Sequence, residues 1–532
     1  MTEVPSVYGM PLGVDDAGTK KSIVSDPVMA QAFEDMGFDF LMAHIWRRNA
    51  PGTKRGLTHI AALNNWASET GHGYIINQEN SARLKGNHPE FRRPGFFFQP
   101  TPDWLAACLS SPHFKGVCYD EAEHWITNGV DVTYGARAED EFRPHFLDAE
   151  GLTLAEAYEG NLHNLNVLRE KQFGFASASW RSLDKPMIRT EHVFPSLFPL
   201  FGRVGIAPHP KFLKESALPV AAAVALGACL QYEVPYVPCL DLAGPKASRA
   251  SRKEWPHHTP EELHSALLFS YWTGAHAAYI ENMNYKDSLY RVIDGKPELT
   301  AWGRVARDFQ RDYMPQNPRR VLAQQLKPSI AIVRFPDSDW GQVKRGHNIR
   351  QNLYGASNLV PDGTTRAWCH VWRLLTHDVL PGTGLTWHAP GFGMRYRLFM
   401  PANNVVVYDH LAADPKLYES AQLVFLLGTQ VPAKTMRTVE AFVRNGGVAA
   451  TVPRLAPTAI RQQFGKGATI VPEGRGKWVL FTDAADPLLK KALAPYLGSP
   501  DELRYRFGDT DIIVTAPKDF GELEVQVRPT RR

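Results

Sequence analysis

The chain has 532 residues, of which 44% are hydrophobic and 21% are charged, and its formal net charge is +4. One hydrophobic core rarely supports this length, so we expect two or three domains of ordinary soluble composition. The basic residues form no long run, which argues against a nucleic-acid partner or a membrane-surface partner.

The first part of the chain alternates short strand-like runs with longer helical patterns. The strand-like runs begin near residues 6, 38, 73, 114, 187, 204, 235 and 276. Capping residues followed by proline mark helix starts between them, at Asp26, Thr101 and Thr259. Eight such strands predict a (β/α)₈ TIM barrel over residues 1–320, although an open doubly wound sheet fits the alternation nearly as well. The barrel is preferred because polar residues recur at the strand ends.

A second alternating series begins at "KPSIAIVRFP" and continues beyond "VAATV". This series predicts a doubly wound, Rossmann/flavodoxin-like domain over residues 328–480. The remaining residues, 481–532, contain "RYRFGDTDIIVTA" and "ELEVQVR", which predict a small β module or an extension of the second domain. The fold class is therefore α/β throughout, with a barrel first.

Acidic residues follow several of the predicted barrel strands directly. Strand four ends in Asp120 and Glu121, strand five in Glu191, strand seven in Asp241 and strand eight in Glu281. The active site of such a barrel forms at the C-terminal ends of its strands. Hydrolysis of a glycosidic bond requires two carboxylates flanking that bond. We therefore predict Glu121 as general acid/base, with Glu281 or Glu191 as nucleophile or base and Asp120 beside them.

Other polar and aromatic residues at the same strand ends are predicted to contact a carbohydrate substrate, although ordinary loop polarity explains each of them about as well. They are His44, Trp46 and Arg47 after strand two, Asn77, Gln78 and Glu79 after strand three, His124 and Trp125 after strand four, His192 after strand five, Lys211 after strand six, Asp241 after strand seven, and Asn282 and Tyr285 after strand eight.

Several other chemistries lack their sequence motifs. The chain has no GxSxG elbow, no P-loop, no HExxH motif and no dinucleotide fingerprint, so no cofactor is expected. Two alternatives to a glycosidase stay open. One is a metal-dependent lyase or isomerase acting on a sugar-like substrate, with a metal held by His44, His192 and neighbouring carboxylates. The other is a non-catalytic glycan-binding protein.

The cysteines and the N-terminus bear on location. The five cysteines form no CxxC pair, so neither a structural zinc site nor a disulfide framework is expected. The N-terminal segment lacks the basic start and the apolar core of a signal peptide. These features favour a cytoplasmic protein, and a secreted protein numbered after removal of its signal is also compatible with them.

One segment of the second domain resembles a known family. The run "AQLVFLLGTQVPAKTMRTVEAFVRNGGVAATV", with "KPSIAIVRFPDSDW" before it, resembles the middle domain of the family 42 β-galactosidases. The resemblance implies a glutamine-amidotransferase-like fold that has lost catalysis and commonly serves oligomerisation, so a homo-oligomer, a dimer or trimer, is expected. In agreement, Cys369 lies in a helix-like stretch, and no nucleophilic cysteine follows a strand.

The barrel half resembles the clan A glycoside hydrolases in its architecture. That clan carries an Asn-Glu pair after strand four, where this chain has Asp120 and Glu121, and its nucleophile follows strand seven, where this chain has Asp241. The Asp-Glu pair is similar to that of the family 20 hexosaminidases. In that family the aspartate orients an acetamide nucleophile and the glutamate is the acid.

Overall fold

The computed structural model describes most of the chain. The described residues are 7–16, 22–45, 54–78, 101–120, 147, 149–192, 197–213, 218–244, 258–285, 287–335, 356, 358–359, 363–385, 402–515 and 523–530. The residues predicted as functional that lie outside this set are Trp46, Arg47, Glu79, Glu121, His124 and Trp125.

Eight parallel strands close into a barrel in which neighbours in the chain are neighbours in the sheet. The eighth strand pairs with the first through Leu12 and Ala278, which completes the ring. The predicted TIM barrel is therefore confirmed, and the open sheet is excluded. In chain order, β1 to β8 are Leu12–Asp15, Phe40–His44, Gly73–Asn77, Phe114–Asp120, Met187–His192, Ala207–Phe212, Cys239–Leu240 and Ala278–Ile280.

Helices surround the barrel, and their starts follow the capping signals of the sequence. The side chain of Asp26 accepts a hydrogen bond from the Val28 amide, and Thr259 and Glu262 form a reciprocal capping box. A π-helical segment, Leu168–Phe173, extends the fourth helix. The barrel helices α1 to α8 are Pro27–Met36, Lys54–Thr70, Pro102–Leu109, Leu154–Val167, Phe198–Arg203, Leu218–Tyr232, Pro260–Trp272 and Ala301–Asp308.

The first strand is shorter than predicted. Sequence patterning suggests a strand from Ser6 to Val14, but β1 begins at Leu12, directly after Pro11. Proline has no backbone N–H to donate to a neighbouring strand, which accounts for the late start. Tyr8, before the proline, forms an isolated antiparallel bridge with Arg319 instead.

A six-stranded sheet follows the barrel. Its order, β12-β11-β13-β14-β16-β15, begins as in flavodoxin-like folds, and only the edge strand β15 is antiparallel. The predicted doubly wound fold is thus confirmed, whereas the proposed domain limits remain a prediction. Strands β11 to β16 are Ile330–Arg334, Val405–Asp409, Leu423–Leu427, Val448–Thr451, Thr469–Glu473 and Gly476–Leu480, and helices α9 to α13 are Met314–Gln316, Gly363–Leu375, Ala433–Arg444, Thr458–Arg461 and Pro487–Leu493.

Two smaller antiparallel sheets complete the described structure. A hairpin of β9 (Tyr290–Ile293) and β10 (Lys296–Leu299) follows the barrel, and a three-stranded sheet near the C-terminus contains β17 (Glu502–Phe507), β18 (Thr510–Thr515) and β19 (Glu524–Pro529). None of the described helices is long and apolar enough to cross a bilayer. All five cysteines are buried free thiols.

Candidate active site

The C-terminal end of every barrel strand supplies one polar side chain. In strand order these residues are Asp15, His44, Asn77, Asp120, Glu191, Lys211, Asp241 and Glu281. The residues two positions earlier on the same face are mostly apolar and form their own cluster inside the barrel, among them Met42, Ile75, Cys118, Cys239 and Tyr279. Because side chains alternate along a strand, the polar residues also face inward, one layer above this cluster.

One half of the barrel mouth contains two glutamates bridged by a lysine. The Nζ atom of Lys211 lies 2.7 Å from Glu191 Oε1 and 2.7 Å from Glu281 Oε2. The hydroxyl of Tyr279 donates to the other oxygen of Glu191 at 2.5 Å. The thiol of Cys239 lies 3.6 Å from Glu281 Oε2. The strands β5, β6, β7 and β8 therefore bring their terminal side chains into one network.

The opposite half contains two aspartates bridged by an amide. Asn77 Nδ2 donates to Asp15 Oδ2 at 3.3 Å and to Asp120 Oδ2 at 3.1 Å. His44 Nε2 lies 3.4 Å from Asp15 Oδ2 and 3.9 Å from Asp120 Oδ2. Asp16 accepts a hydrogen bond from the His44 backbone amide at 2.7 Å. Asp120 is therefore held in place immediately before Glu121.

Burial and crowding set the charge states of these groups. Burial, followed by the charge of Asp120, raises the pKa of Glu191 to about 8, against the donors Lys211 and Tyr279. Burial, followed by the charge of Asp241, raises the pKa of Glu281 well above its usual value. These carboxyl groups therefore hold protons more tightly than exposed ones do.

For Lys211, burial and the neighbouring charges act on the pKa in opposite directions. Burial alone would lower the pKa of its amine, but the carboxylates of Glu191 and Glu281, supported by Asp120 and Asp241, outweigh this effect and raise the pKa well above its usual value. The ammonium form of Lys211 is therefore the stable one at neutral pH.

The other predicted residues occupy different positions around the mouth. Asn282 has a left-handed backbone, with φ of 68°, and its side chain donates to Asp241 at 3.3 Å. Tyr285 is 40% exposed, on the segment that follows β8. Gln78 and His192 are buried, each one position beyond an inward residue. Because neighbouring side chains on a strand alternate, His192 belongs to the face opposite Glu191.

Several site residues are absent from the sequence prediction. Asp15 and Asp16 follow the first strand in "GVDD", and the rule that identified the other strand-end acids applies equally to them. Tyr279 lies within an apolar run, where a strand pattern does not mark it as functional. Lys211 was expected in a loop after strand six, whereas it lies inside β6, which contains two prolines.

Two groups in the described residues have donor atoms close enough to hold a cation. Donor atoms of Glu191, Cys239 and Glu281 lie within 4.8 Å of one another, but the ammonium of Lys211 already pairs with both glutamates there. The second group, Asp15, Asp16 and His44, combines two carboxylates with an imidazole, a donor set that suits a divalent cation.

Comparison with known proteins bears on the fold. No known family model and no curated protein sequence matches the chain. The structure of the cold-adapted β-galactosidase from Rahnella sp. R3 matches with a TM-score of 0.55 at 11% identity, covering 99% of each chain. Gan42B, a GH42 β-galactosidase from G. stearothermophilus solved as a catalytic mutant, matches with a TM-score of 0.53 at 10% identity, covering 98% of this chain and 95% of its own. The chain therefore shares its fold, over nearly its whole length, with two β-galactosidases, one of which belongs to family 42.

Proposed function

We propose that the protein is a glycoside hydrolase whose active site is the barrel mouth, with Glu121 as general acid/base and Glu281 as its partner carboxylate. The main support is the convergence of carboxylates from several strands at this mouth. Glycosidic cleavage requires two carboxyl groups on either side of the scissile bond. The shared fold with two β-galactosidases makes β-galactosides the first substrates to test.

Glu281 suits the partner role better than Glu191. The side chain of Glu191 is fully buried, and both of its oxygens accept contacts, from Lys211 and Tyr279. The side chain of Glu281 is 14% exposed. Within the described part of the chain, its contacts with Lys211 and Cys239 both involve Oε2. Its second oxygen is then available to a sugar ring entering the mouth.

The surrounding residues would bind and orient the substrate. We propose that Asp120, held by Asn77, fixes the backbone from which Glu121 extends. Tyr285 and Asn282 would contact the sugar from the segment after β8. The same role is proposed for the predicted residues outside the described set, Trp46, Arg47, Glu79, His124 and Trp125. A homo-oligomer formed through the second domain and a cytoplasmic location remain predictions.

Glutamine substitution tests the carboxylate pair. Glu281→Gln is expected to lower kcat on 4-nitrophenyl β-D-galactoside by about 10³-fold or more, because the partner carboxylate takes part in bond making. Glu121→Gln is expected to lower kcat more for a poor leaving group than for nitrophenolate, which needs no protonation. Glu298→Gln, an exposed glutamate on β10, is the matched control. Near wild-type turnover in both mouth variants would contradict the assignment.

Azide distinguishes the role of Glu281 further. In Glu281→Ala a small anion can enter the space left by the carboxylate, so azide is expected to restore turnover and give a glycosyl azide. Proton NMR of the first sugar anomer released by the wild-type enzyme then separates a nucleophile, which retains configuration, from a base, which inverts it. If azide instead rescues Glu191→Ala, then Glu191 is the partner.

A metal-dependent lyase or isomerase is a second candidate, supported by the grouping of Asp15, Asp16 and His44. Metal analysis of the purified protein separates the two functions. Stoichiometric divalent metal, together with activity lost on chelation, would favour this candidate over a two-carboxylate hydrolase. A non-catalytic glycan-binding protein would instead bind glycans equally well after loss of the carboxylates and would hydrolyse none.

A further inference from the structure

We propose that Lys211 is a positioning residue that favours the ionised form of Glu281 and fixes the orientation of its carboxylate, and that Glu191, itself held by Tyr279, holds Lys211 in turn. This inference rests on the proposed function, because it assigns Glu281 as the reacting carboxylate. It also gives Glu191 a supporting role rather than a reacting one.

The contacts form a series of side chains whose two ends are joined through the backbone of β8. Tyr279 donates to Glu191 at 2.5 Å, Glu191 pairs with Lys211 at 2.7 Å, and Lys211 pairs with Glu281 at 2.7 Å. Tyr279 and Glu281 lie two residues apart at the end of the same strand, so the series begins and ends on β8. Each member is anchored at a barrel strand, and such support fixes a reacting group more closely than a loop does.

The charges around Glu281 make the ammonium necessary. Acidic groups from four other strands disfavour ionisation of Glu281. They are Asp15 on β1, Asp120 on β4, Glu191 on β5 and Asp241 after β7. Cys239, also on β7, is a buried thiol whose own pKa is raised by burial. Burial and these acids favour the neutral form of Glu281, whereas Lys211 favours the carboxylate. A reacting carboxylate has to be ionised, and the contact with Lys211 opposes the burial and the acids that raise the pKa of Glu281.

Two other roles for Lys211 fit the geometry less well. A lysine that forms an imine with a carbonyl substrate needs a neutral amine, and the two carboxylates stabilise the ammonium instead. A lysine that only compensates buried charge would affect the stability of the protein and leave the ionisation of the reacting group unchanged. The pH dependence of the reaction separates this structural role from the positioning role.

The test compares the acidic limb of kcat/KM against pH in three variants, with 4-nitrophenyl β-D-galactoside as substrate. Lys211→Met is expected to move this limb upward by about one pH unit or more, because Glu281 then ionises with greater difficulty. Lys211→Arg is expected to move it back towards the wild-type position by restoring the positive charge. Lys296→Met, at an exposed lysine on β10, is the control and should leave the limb unchanged.

Glu191→Gln provides an independent measurement of the same acidic limb. It also tests the proposal if Lys211→Met does not fold. This variant removes the acidic group that shares Lys211 with Glu281, so the ammonium then pairs with Glu281 alone. The acidic limb should then move downward, opposite to its movement in Lys211→Met. A purely structural role predicts reduced stability in both variants and no opposed shifts.

The outcomes distinguish this inference from the proposed function. If azide rescues Glu281→Ala while Lys211→Met keeps the wild-type limb, the glycosidase assignment stands and the positioning role is wrong. If the wild-type protein hydrolyses no glycoside, or azide rescues only Glu191→Ala, the proposed function or its carboxylate assignment fails, and the positioning role fails with it.

Discussion

At the level of single residues, the inward face of several barrel strands changes to a carboxylate within one two-residue step. On β8 the step runs from Tyr279 to Glu281, and on β4 it runs from Cys118 to Asp120. The lower residues exclude water beneath the carboxylates, so burial is the leading cause of the raised pKa values of Glu191 and Glu281. The layer beneath the carboxylates therefore affects their pKa values and also forms part of the core.

Arg319 acts at the other end of the barrel, where it ties separate backbone segments together. Its guanidinium is fully buried and donates to the carbonyl oxygens of Tyr8, Gly9, Tyr271 and Ala275. We expect Arg319→Met to lower the free energy of unfolding by about 3 kcal/mol or more, because it removes four hydrogen bonds, two of them to buried carbonyl oxygens. Urea titration measures this loss.

The neighbouring residue provides a matched control for that substitution. Arg320 is exposed, so Arg320→Met should change the free energy of unfolding by less than about 0.5 kcal/mol. Equal stabilities for the two methionine variants would show that the buried arginine contributes little to holding these segments together.

At the level of elements, helix α6 joins the barrel to the second domain. It packs on β6 on one side and on β12 on the other, and its C-terminal residues Gln231 and Tyr232 both donate to Asp409 at the end of β12. Gly227 allows this approach, since an added Cβ there would lie 1.8 Å from the carbonyl oxygen of Val407. The helix and the strand meet backbone against backbone at this position.

Gly227→Ala tests this contact. A methyl group at this position must push α6 away from β12, and we expect a loss of about 1–3 kcal/mol of stability, as for other overpacked sites. A calorimetric scan that compares the unfolding temperature with that of the wild type provides the measurement. Gly465→Ala is the control, because its new methyl group would meet only Thr469 Oγ1, at 3.7 Å. A variant as stable as the control would mean that the helix–strand contact is looser than described.

The same helix shows where sequence patterns stop being informative. Alternation and capping residues predict eight barrel strands in the right order, because turns and helix caps are local signals. Helix α6 is buried on nearly all sides, so "ALPVAAAVALGACL" carries no amphipathic period from which its two partners could be predicted. Strand β6 contains Pro208 and Pro210, and prolines are more typical of loops than of strands. The sequence therefore predicts a loop position for Lys211, whereas Lys211 lies within the strand.

The sequence predicts only part of the candidate active site, again because sequence patterns carry local information. A rule about acids at strand ends finds Glu191, Asp241 and Glu281 because it depends on the chain alone. The pairing of Glu281 with Lys211 depends on the sheet, in which β6 pairs with β7 and β7 pairs with β8. No spacing in the sequence encodes that distance, so our proposal of Glu281 rather than Glu191 rests on contacts that the sequence could not predict.

At the level of the whole molecule, the later parts of the chain cover surfaces of the barrel. The second domain covers α6, and the C-terminal three-stranded sheet contacts α7, where the rings of Phe269 and Tyr505 lie 5.9 Å apart. The amide of Leu523 also donates to Ser265 on α7 at 3.2 Å. These contacts couple the stability of the barrel to residues far along the chain.

We therefore expect the barrel fragment 1–320 to be much less stable than the full chain, even though its strands form a closed ring. Truncation would expose the face of α6 that packs on β12, including Gly227 and the apolar residues around it, and large exposed apolar patches promote aggregation. The full chain should unfold in a single calorimetric transition in which barrel and second domain melt together. A soluble, monomeric fragment that melts at the temperature of the full chain would show instead that residues 1–320 form an independent domain.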